Sequence, residues 1–286
     1  MKKTKIVLRV LSIVMMAGSI TGLSMYAANK DVLTVVDYAY TSDKYTGSPY
    51  KIVHLSDIHN HSLDYENTNL IEAIDAENPD IIVISGDMVD DHTKDYTNLT
   101  ELAAHFKSKN YPFYYVDGNH ERHAPDEIRE KEYSIFNENG GVYLYENSVD
   151  LGNNLVISGI RDPAGKGRDP LLLGTYYGDV PDQLDCMSSS LDTSKLNLMV
   201  CHRPEYFDII KDEGYDVTFS GHTHGGQVNV AGWRVACYPW TKYISGSYSD
   251  GDKSLYVSNG LGYSYSLPLR YNCPATLLSV TIKSKA

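Results

Sequence analysis

The sequence has few of the residues on which common catalytic signatures depend. Only four cysteines occur in 286 residues, Cys186, Cys201, Cys237 and Cys273, and they are widely scattered. None has the short spacing of a zinc cluster, which excludes a thiolate-held structural metal. Cys201 lies within an apolar run and is expected to be buried, leaving Cys186, Cys237 and Cys273 for any disulfide. There is no G-x-S-x-G elbow for a serine hydrolase and no G-x-x-x-x-G-K-[ST] loop for a nucleoside triphosphate. The stretch NGLGYS is too weak a glycine signal to mark a dinucleotide site. Basic residues are scarce as well: 25 Lys and Arg stand against 37 Asp and Glu, a net charge of −12. That sign excludes a bare nucleic-acid backbone as the primary partner. Phenylalanine numbers five against 24 tyrosines, an imbalance with no evident mechanism beyond an amphipathic surface.

One apolar segment stands apart. MKKTKIVLRV carries Lys2, Lys3, Lys5 and Arg9, and an uncharged, mostly apolar run follows from Val10 to Asn29. This is the pattern of an export signal, and it places the protein outside the cytoplasm or at the cell envelope. A cut after Ala27 or Ala28 would put Met25 or Tyr26 where a small side chain is expected, so residues 1–29 are either a cleaved signal peptide or an uncleaved membrane anchor. The run is about the minimum that spans a bilayer. Residues 30–49 read as a connector, with an edge strand available at VLTVVDYAY. Residues 50–286 are expected to form one domain, since no composition break divides them and the length suffices for one large core.

Within that domain, short apolar runs alternate with helical patterns. KIVHL, DIIVI, PFYYV, LNLMV and DVTF have strand length and β-branched or aromatic content. Leu99, Leu102, Ala103 and Phe106 keep the three and four spacing of one buried helix face. Pro125 and Asp126 open a helix that ends near Gly140, and Pro204 opens another that stops at Gly214. The alternation predicts an α/β fold. GVYLYENS, NLVISGI, SLYVSNG and TLLSVTI add strands without intervening helices, which predicts a second, partly antiparallel sheet.

The chemistry sits just after the five buried runs. KIVHL leads into Asp57 and His59, DIIVI into Asp87 and Asp90, and PFYYV into Asn119, His120 and Glu121; LNLMV leads into His202, and DVTF into His222 and His224. Open α/β sheets bind ligands beyond the carboxyl ends of their strands. Taken alone, the His-Thr-His triplet is satisfied by two structural histidines sharing a face. The ordered set is harder to explain that way. Oxygen and imidazole donors without thiolate suit Mn, Zn or Fe, and there are enough of them for two divalent ions. Two ions about 3.5–4 Å apart can share a bridging carboxylate and a bridging hydroxide and clamp an in-line displacement at phosphorus. Gly86, Gly118, Gly221, Gly225 and Gly226 beside these residues are expected to permit sharp turns and leave room for substrate.

The ordered motifs DIH, GDMVD, GNHE, CHRPE and GHTHGG resemble the calcineurin-like metallophosphoesterase superfamily over about Lys51 to Gln227. The tail NGLGYSYSLPLRYNCPA resembles that of the exported or membrane-associated subgroup typified by the bacterial YkuE and YaeI proteins, with Ala275 where Glu is usual after Pro274. The resemblance implies a four-layer α/β/β/α sandwich of two mixed sheets flanked by helices, with a dimetal site at the strand ends. It also implies a metal-dependent hydrolase of phosphodiesters or phosphomonoesters. Carried over by position, Asp57, His59 and His224 would take one metal and Asn119, His202 and His222 the other, with Asp87 bridging. His120 would be the general acid or electrostatic stabiliser at the leaving oxygen. Asp90 would either orient a neighbouring ligand or His120, or cap a helix; Arg270 would contact phosphate or form a surface salt bridge. The expected substrate is a phosphoester, with a lipid or envelope component compatible with an N-terminal anchor. The alternative is a catalytically silent metal-binding surface protein on the same fold.

Overall fold

The computed structural model describes residues 32–65, 68–164, 178–234, 241–263 and 269–285. The segment expected to direct export therefore lies outside the described residues. The strands in chain order are β1 (Leu33–Ser42), β2 (Tyr50–Leu55), β3 (Ile81–Ile84), β4 (Phe113–Tyr115), β5 (Val142–Tyr143), β6 (Asn147–Gly152), β7 (Leu155–Gly159), β8 (Leu196–Val200), β9 (Val217–Ser220), β10 (Asn229–Val230), β11 (Trp233–Arg234), β12 (Gly246–Asp250), β13 (Lys253–Val257) and β14 (Ala275–Ser284). Helices α1 (Leu70–Glu77), α2 (Thr97–Lys109), α3 (Asn119–His123), α4 (Asp126–Glu138), α5 (Val180–Ser188) and α6 (Phe207–Ile210) connect them.

One sheet has the order β1-β14-β2-β3-β4-β5 and the other β12-β13-β9-β8-β7-β6. Strands β2 to β5 are parallel, as are β7, β8, β9 and β13, while β14 runs antiparallel to β2. The two-residue period of a strand explains how these near-continuous apolar runs serve two layers at once. Val53, Leu55, Ile82 and Ile84 face Leu70, Ile74, Leu99, Leu102, Phe106 and Phe136 on the outer helices. Their neighbours Ile52, Ile81 and Val83 face inward, against Leu196, Leu198, Val200 and Phe219 of the second sheet. On the far side, Met199 and Cys201 pack with Val180, Leu184, Tyr206 and Ile210. The result is the expected α/β/β/α sandwich of two mixed sheets.

Two boundaries differ from expectation. The edge strand available at VLTVVDYAY forms, but the connector as a whole is part of the fold: β1 pairs in parallel with β14 along its whole length, and Tyr45 is buried between the sheets. The Pro204 helix is a tight 3-10 turn, Pro204–Tyr206, running into the short α6. Cys186, Cys201 and Cys273 are unbridged, with Cys201 buried as expected, and Cys237 lies outside the described residues.

Candidate metal centre

The parallel strands end at one rim, and their following loops are stitched to one another by backbone hydrogen bonds. Asp57 N–H donates to Gly86 O, His59 N–H to Asp87 O, and Gly221 N–H to His202 O, each at 3.0 Å. Five of the side chains that enter this weave do so where the backbone turns sharply. Asp57, His59, Asp87, His222 and His224 all have φ between 48° and 68°, a left-handed region uncommon for residues other than glycine. Strain concentrated on five neighbouring polar residues marks a site whose geometry outranks local preference. Gly86, Gly118, Gly221 and Gly225 serve this weave by letting neighbouring groups approach closely. A Cβ on Gly118 would strike the Asp87 carboxylate, and one on Gly221 would strike Ser56 and Asp57.

The donor atoms converge in two groups that meet at Asp87. In the first, His224 Nε2 lies 3.5 Å from Asp57 Oδ1 and 3.1 Å from His59 Nε2. In the second, His202 Nε2 lies 3.1 Å from Asp87 Oδ2 and 3.2 Å from Asn119 Oδ1, and His222 joins it. The same Asp87 Oδ2 is 3.7 Å from His59 Nε2, which gives this carboxylate the central position. Every residue assigned to metal by position is thus brought together. His120 adjoins them: its backbone N–H donates to Asp87 Oδ1 at 2.8 Å, and its half-exposed ring meets the His59 ring edge-on at 4.6 Å.

The donor set fits divalent cations on four observations. Burial pushes His59 and His224 down to about 3, so both are neutral and turn ring nitrogens toward each other. Nδ1 of His202 donates to Ser85 O at 2.8 Å, which directs Nε2 into the site, the arrangement that orients imidazole ligands. Burial pulls His202 down, but the Asp87 carboxylate outweighs it and lifts the ring to about 10. In the metal-free chain a proton on His202 therefore neutralises Asp87, in the place a cation would take. The thiol of Cys273 points away, at the carbonyls of His224 and Gly225, and leaves an oxygen and nitrogen donor set.

Two expected roles are corrected. Asp90 closes its own loop, accepting from His92 N–H at 2.8 Å and from the Thr93 hydroxyl, and does not orient His120 or a ligand. Arg270 is neither a surface ion pair nor turned to substrate. It is 7% exposed, and its guanidinium donates to the carbonyls of Asn259, Gly260, Gly262 and Cys273. Gly260 in turn abuts Asp57 and His224, so Arg270 braces the first ligand group from behind. Ala275 opens β14 in the core, opposite Leu33.

Sequence reasoning left Glu121 without a role. Its buried carboxylate accepts the N–H groups of Asp87, Met88, Val89 and Gly118 at 2.7 to 3.1 Å and so fixes the loop that presents Asp87. Glu121 stands three residues after the N-cap Gly118, the spacing at which a carboxylate reaches back to the N-cap N–H, and that spacing was present in DGNHE. Arg203, next to His202, is locked in a bidentate pair with buried Asp162 at 2.7 and 3.3 Å, which no local pattern announced.

Residues 50–226 match the calcineurin-like phosphoesterase family model. An uncharacterized metallophosphoesterase of Campylobacter jejuni is 33% identical over 239 residues, 82% of this chain, which spans 59% of that relative's length. The uncharacterized metallophosphoesterase YkuE of Bacillus subtilis is 28% identical, with 82% of this chain and 79% of the relative covered. A phosphodiesterase, YaeI of Escherichia coli, is 24% identical over 83% of this chain and 84% of its own. With the matched span enclosing β2 to β9 and every residue of both ligand groups, the chain belongs to the calcineurin-like phosphoesterase family.

Proposed function

We propose that the protein is an exported dimetal hydrolase of phosphate esters acting at the cell envelope. The observation that carries this reading is the pair of donor groups meeting at Asp87 Oδ2, 3.1 Å from His202 and 3.7 Å from His59. Asp57, His59 and His224 would hold one divalent cation and Asn119, His202 and His222 the other, with Asp87 shared. When bound, such a pair supplies positive charge to the phosphoryl oxygens and lowers the pKa of attacking water to near neutrality. The chain's own residues do the rest. Glu121 and the strained loops hold the donors in place before substrate arrives, so little reorganisation is needed during reaction. His120, half-exposed beside Asp87, is placed to give a proton to the leaving oxygen. Export and envelope location rest on the basic and apolar sequence of residues 1–29. Among the described residues, no helix is long and apolar enough to cross a membrane.

The test is hydrolysis of a chromogenic phosphodiester and its monoester by the full chain reconstituted with Mn, Zn or Fe, beside Asp87→Ala and His120→Asn. Metal-dependent turnover that collapses in Asp87→Ala supports the reading, and the faster ester defines the substrate class. Two bound metals with no turnover of either ester would favour the silent metal-binding alternative.

A further inference from the structure

Immediately after the ligand turn that carries His222 and His224, the chain makes a small hairpin whose chemistry the metal centre does not use. Val230 on β10 and Trp233 on β11 face each other across the two-residue turn Ala231–Gly232. Both turn residues have positive φ, 51° and 91°, the mirror-image turn that matches the twist of paired strands. Trp233 is 80% exposed and Val230 51% exposed, the two exposed large hydrophobic side chains among the described residues. The segment from Val228 to Arg234 carries one charge, that of Arg234. This guanidinium turns inward to Gly225 O at 2.5 Å and Ser245 Oγ at 3.2 Å, which leaves the tip uncharged and ties its base to the ligand turn. Asn229 N–H donates to Tyr271 O and Tyr271 N–H to Gln227 O, both at 2.8 Å, fastening the other strand to the rim. The tip is therefore an apolar wedge whose base is fastened beside the metal ligands.

Topology gives the wedge an orientation. Because β14 is antiparallel to β2 and parallel to β1, the first residue of β1 lies at the rim where β2, β3 and β4 end. The contacts confirm it: Ala275 N–H donates to Val32 O at 3.0 Å, and Cys273, two residues earlier, reaches His224 O. The apolar run from Val10 to Asn29 thus leads into the fold at the same rim as the hairpin and the metal ligands. An exposed apolar tip on the rim where the chain joins an apolar N-terminal sequence points to a bilayer as the occupant. A tryptophan on a mostly uncharged tip suits the headgroup region.

We propose that this hairpin is a membrane wedge. Trp233 and Val230 insert at the headgroup level of a neutral bilayer and bring the ligand rim down onto phosphoesters carried at the bilayer surface. With a net charge of −12, the attachment is apolar rather than electrostatic and is insensitive to salt. The substrate class this adds, an amphiphilic phosphoester, rests on the hydrolase reading; the docking itself does not.

The test uses the full chain with phosphatidylcholine vesicles whose acyl chains carry bromine, a contact quencher of tryptophan. Subtracting the emission of Trp233→Tyr from that of the wild type isolates Trp233. The expected result is that this difference emission shifts to the blue and is quenched by the brominated lipid at low and high salt alike. Difference emission untouched by the lipid would overturn the proposal, as would an equal blue shift without lipid on raising protein concentration, which would assign the hairpin to a second copy of the chain. The substrate class has its own arm. Trp233→Ser should lower kcat/KM on a vesicle-borne phosphodiester by about tenfold, the loss expected from removing one buried large apolar side chain, and leave a soluble ester unchanged. Equal loss on both esters would overturn the surface-substrate claim. A wild type that hydrolyses neither would defeat the hydrolase reading and leave the quenching result to decide the docking.

Discussion

The two ends of the paired sheets both bury carboxylates and handle them in opposite ways. At the end where β9 begins, Asp216 takes Lys44 and Lys253 at 2.8 and 2.7 Å and the Asn197 N–H at 2.9 Å. That charge is balanced within the chain. At the ligand rim, Asp57 and Asp87 are buried as completely, but their ion-pair partners among the described residues are histidines, with no lysine or arginine on either. A buried charge left without a cation is costly, and at Asp87 only a proton held on His202 fills that place in the metal-free chain. The contrast shows where the fold expects positive charge from outside, and the strained backbone of Asp57, His59, Asp87, His222 and His224 shows that the expectation is built in.

Substitutions can break the contrast from either side. Asp87→Ala should have the largest effect, removing the atom shared by both groups: turnover falls by about 10³-fold or more, some 4 kcal/mol of barrier, with metal content reduced in parallel. His120→Asn should lower kcat by about 10²–10⁴-fold with metal content intact, and the loss should grow as the leaving group becomes more basic. Asp216→Ala should do the reverse, costing about 3 kcal/mol in denaturant unfolding because it unpairs two lysines that can partly reach water. Its turnover by the folded fraction should stay within about twofold of wild type.

The smallest effect is a pH signature of the metal-free chain. Burial holds His54, His59 and His224 down at about 3. Each therefore contributes stability that is present when the unfolded imidazole is neutral, above about 6.5, and is lost as pH falls toward 3. His202, lifted by Asp87 to about 10 against its burial, contributes stability lost as pH rises from about 6.5 to 10. Glu121 is pushed up to about 8 by burial and then by Asp87, so its contribution is lost between about 4.5 and 8. Thermal unfolding in chelator should peak near pH 6–6.5 and decline on both sides. Saturating divalent metal should flatten the alkaline limb, because ligation requires neutral His202. An alkaline limb unchanged by metal would place the cation elsewhere.

Much of this rim was legible because strand ends are local. Five mostly apolar runs followed by Asp, His or Asn define both the strands and what they deliver, and the runs without intervening helices announce the second sheet, while the four-layer α/β/β/α arrangement came from the family resemblance. The misreadings came from distant pairing. Leu33–Ser42 was readable as an edge strand within a connector, but its partner, β14 from the other end of the chain, was not. Arg270 offers the donors a phosphate wants, and only the folded tail supplies the carbonyls that occupy them. Asp90 has the composition of a ligand-supporting residue but a partner, Thr93, three residues away. Helices α1 and α5 were unannounced because eight- and nine-residue helices give little periodicity to read.

The central claim, that the rim binds two cations and works only with both, is tested most directly by titrating metal-free full-length chain with Mn while following hydrolysis of a chromogenic phosphodiester. The account predicts that activity climbs to a plateau at two equivalents per chain. A plateau at one equivalent, or turnover indifferent to metal, would contradict it.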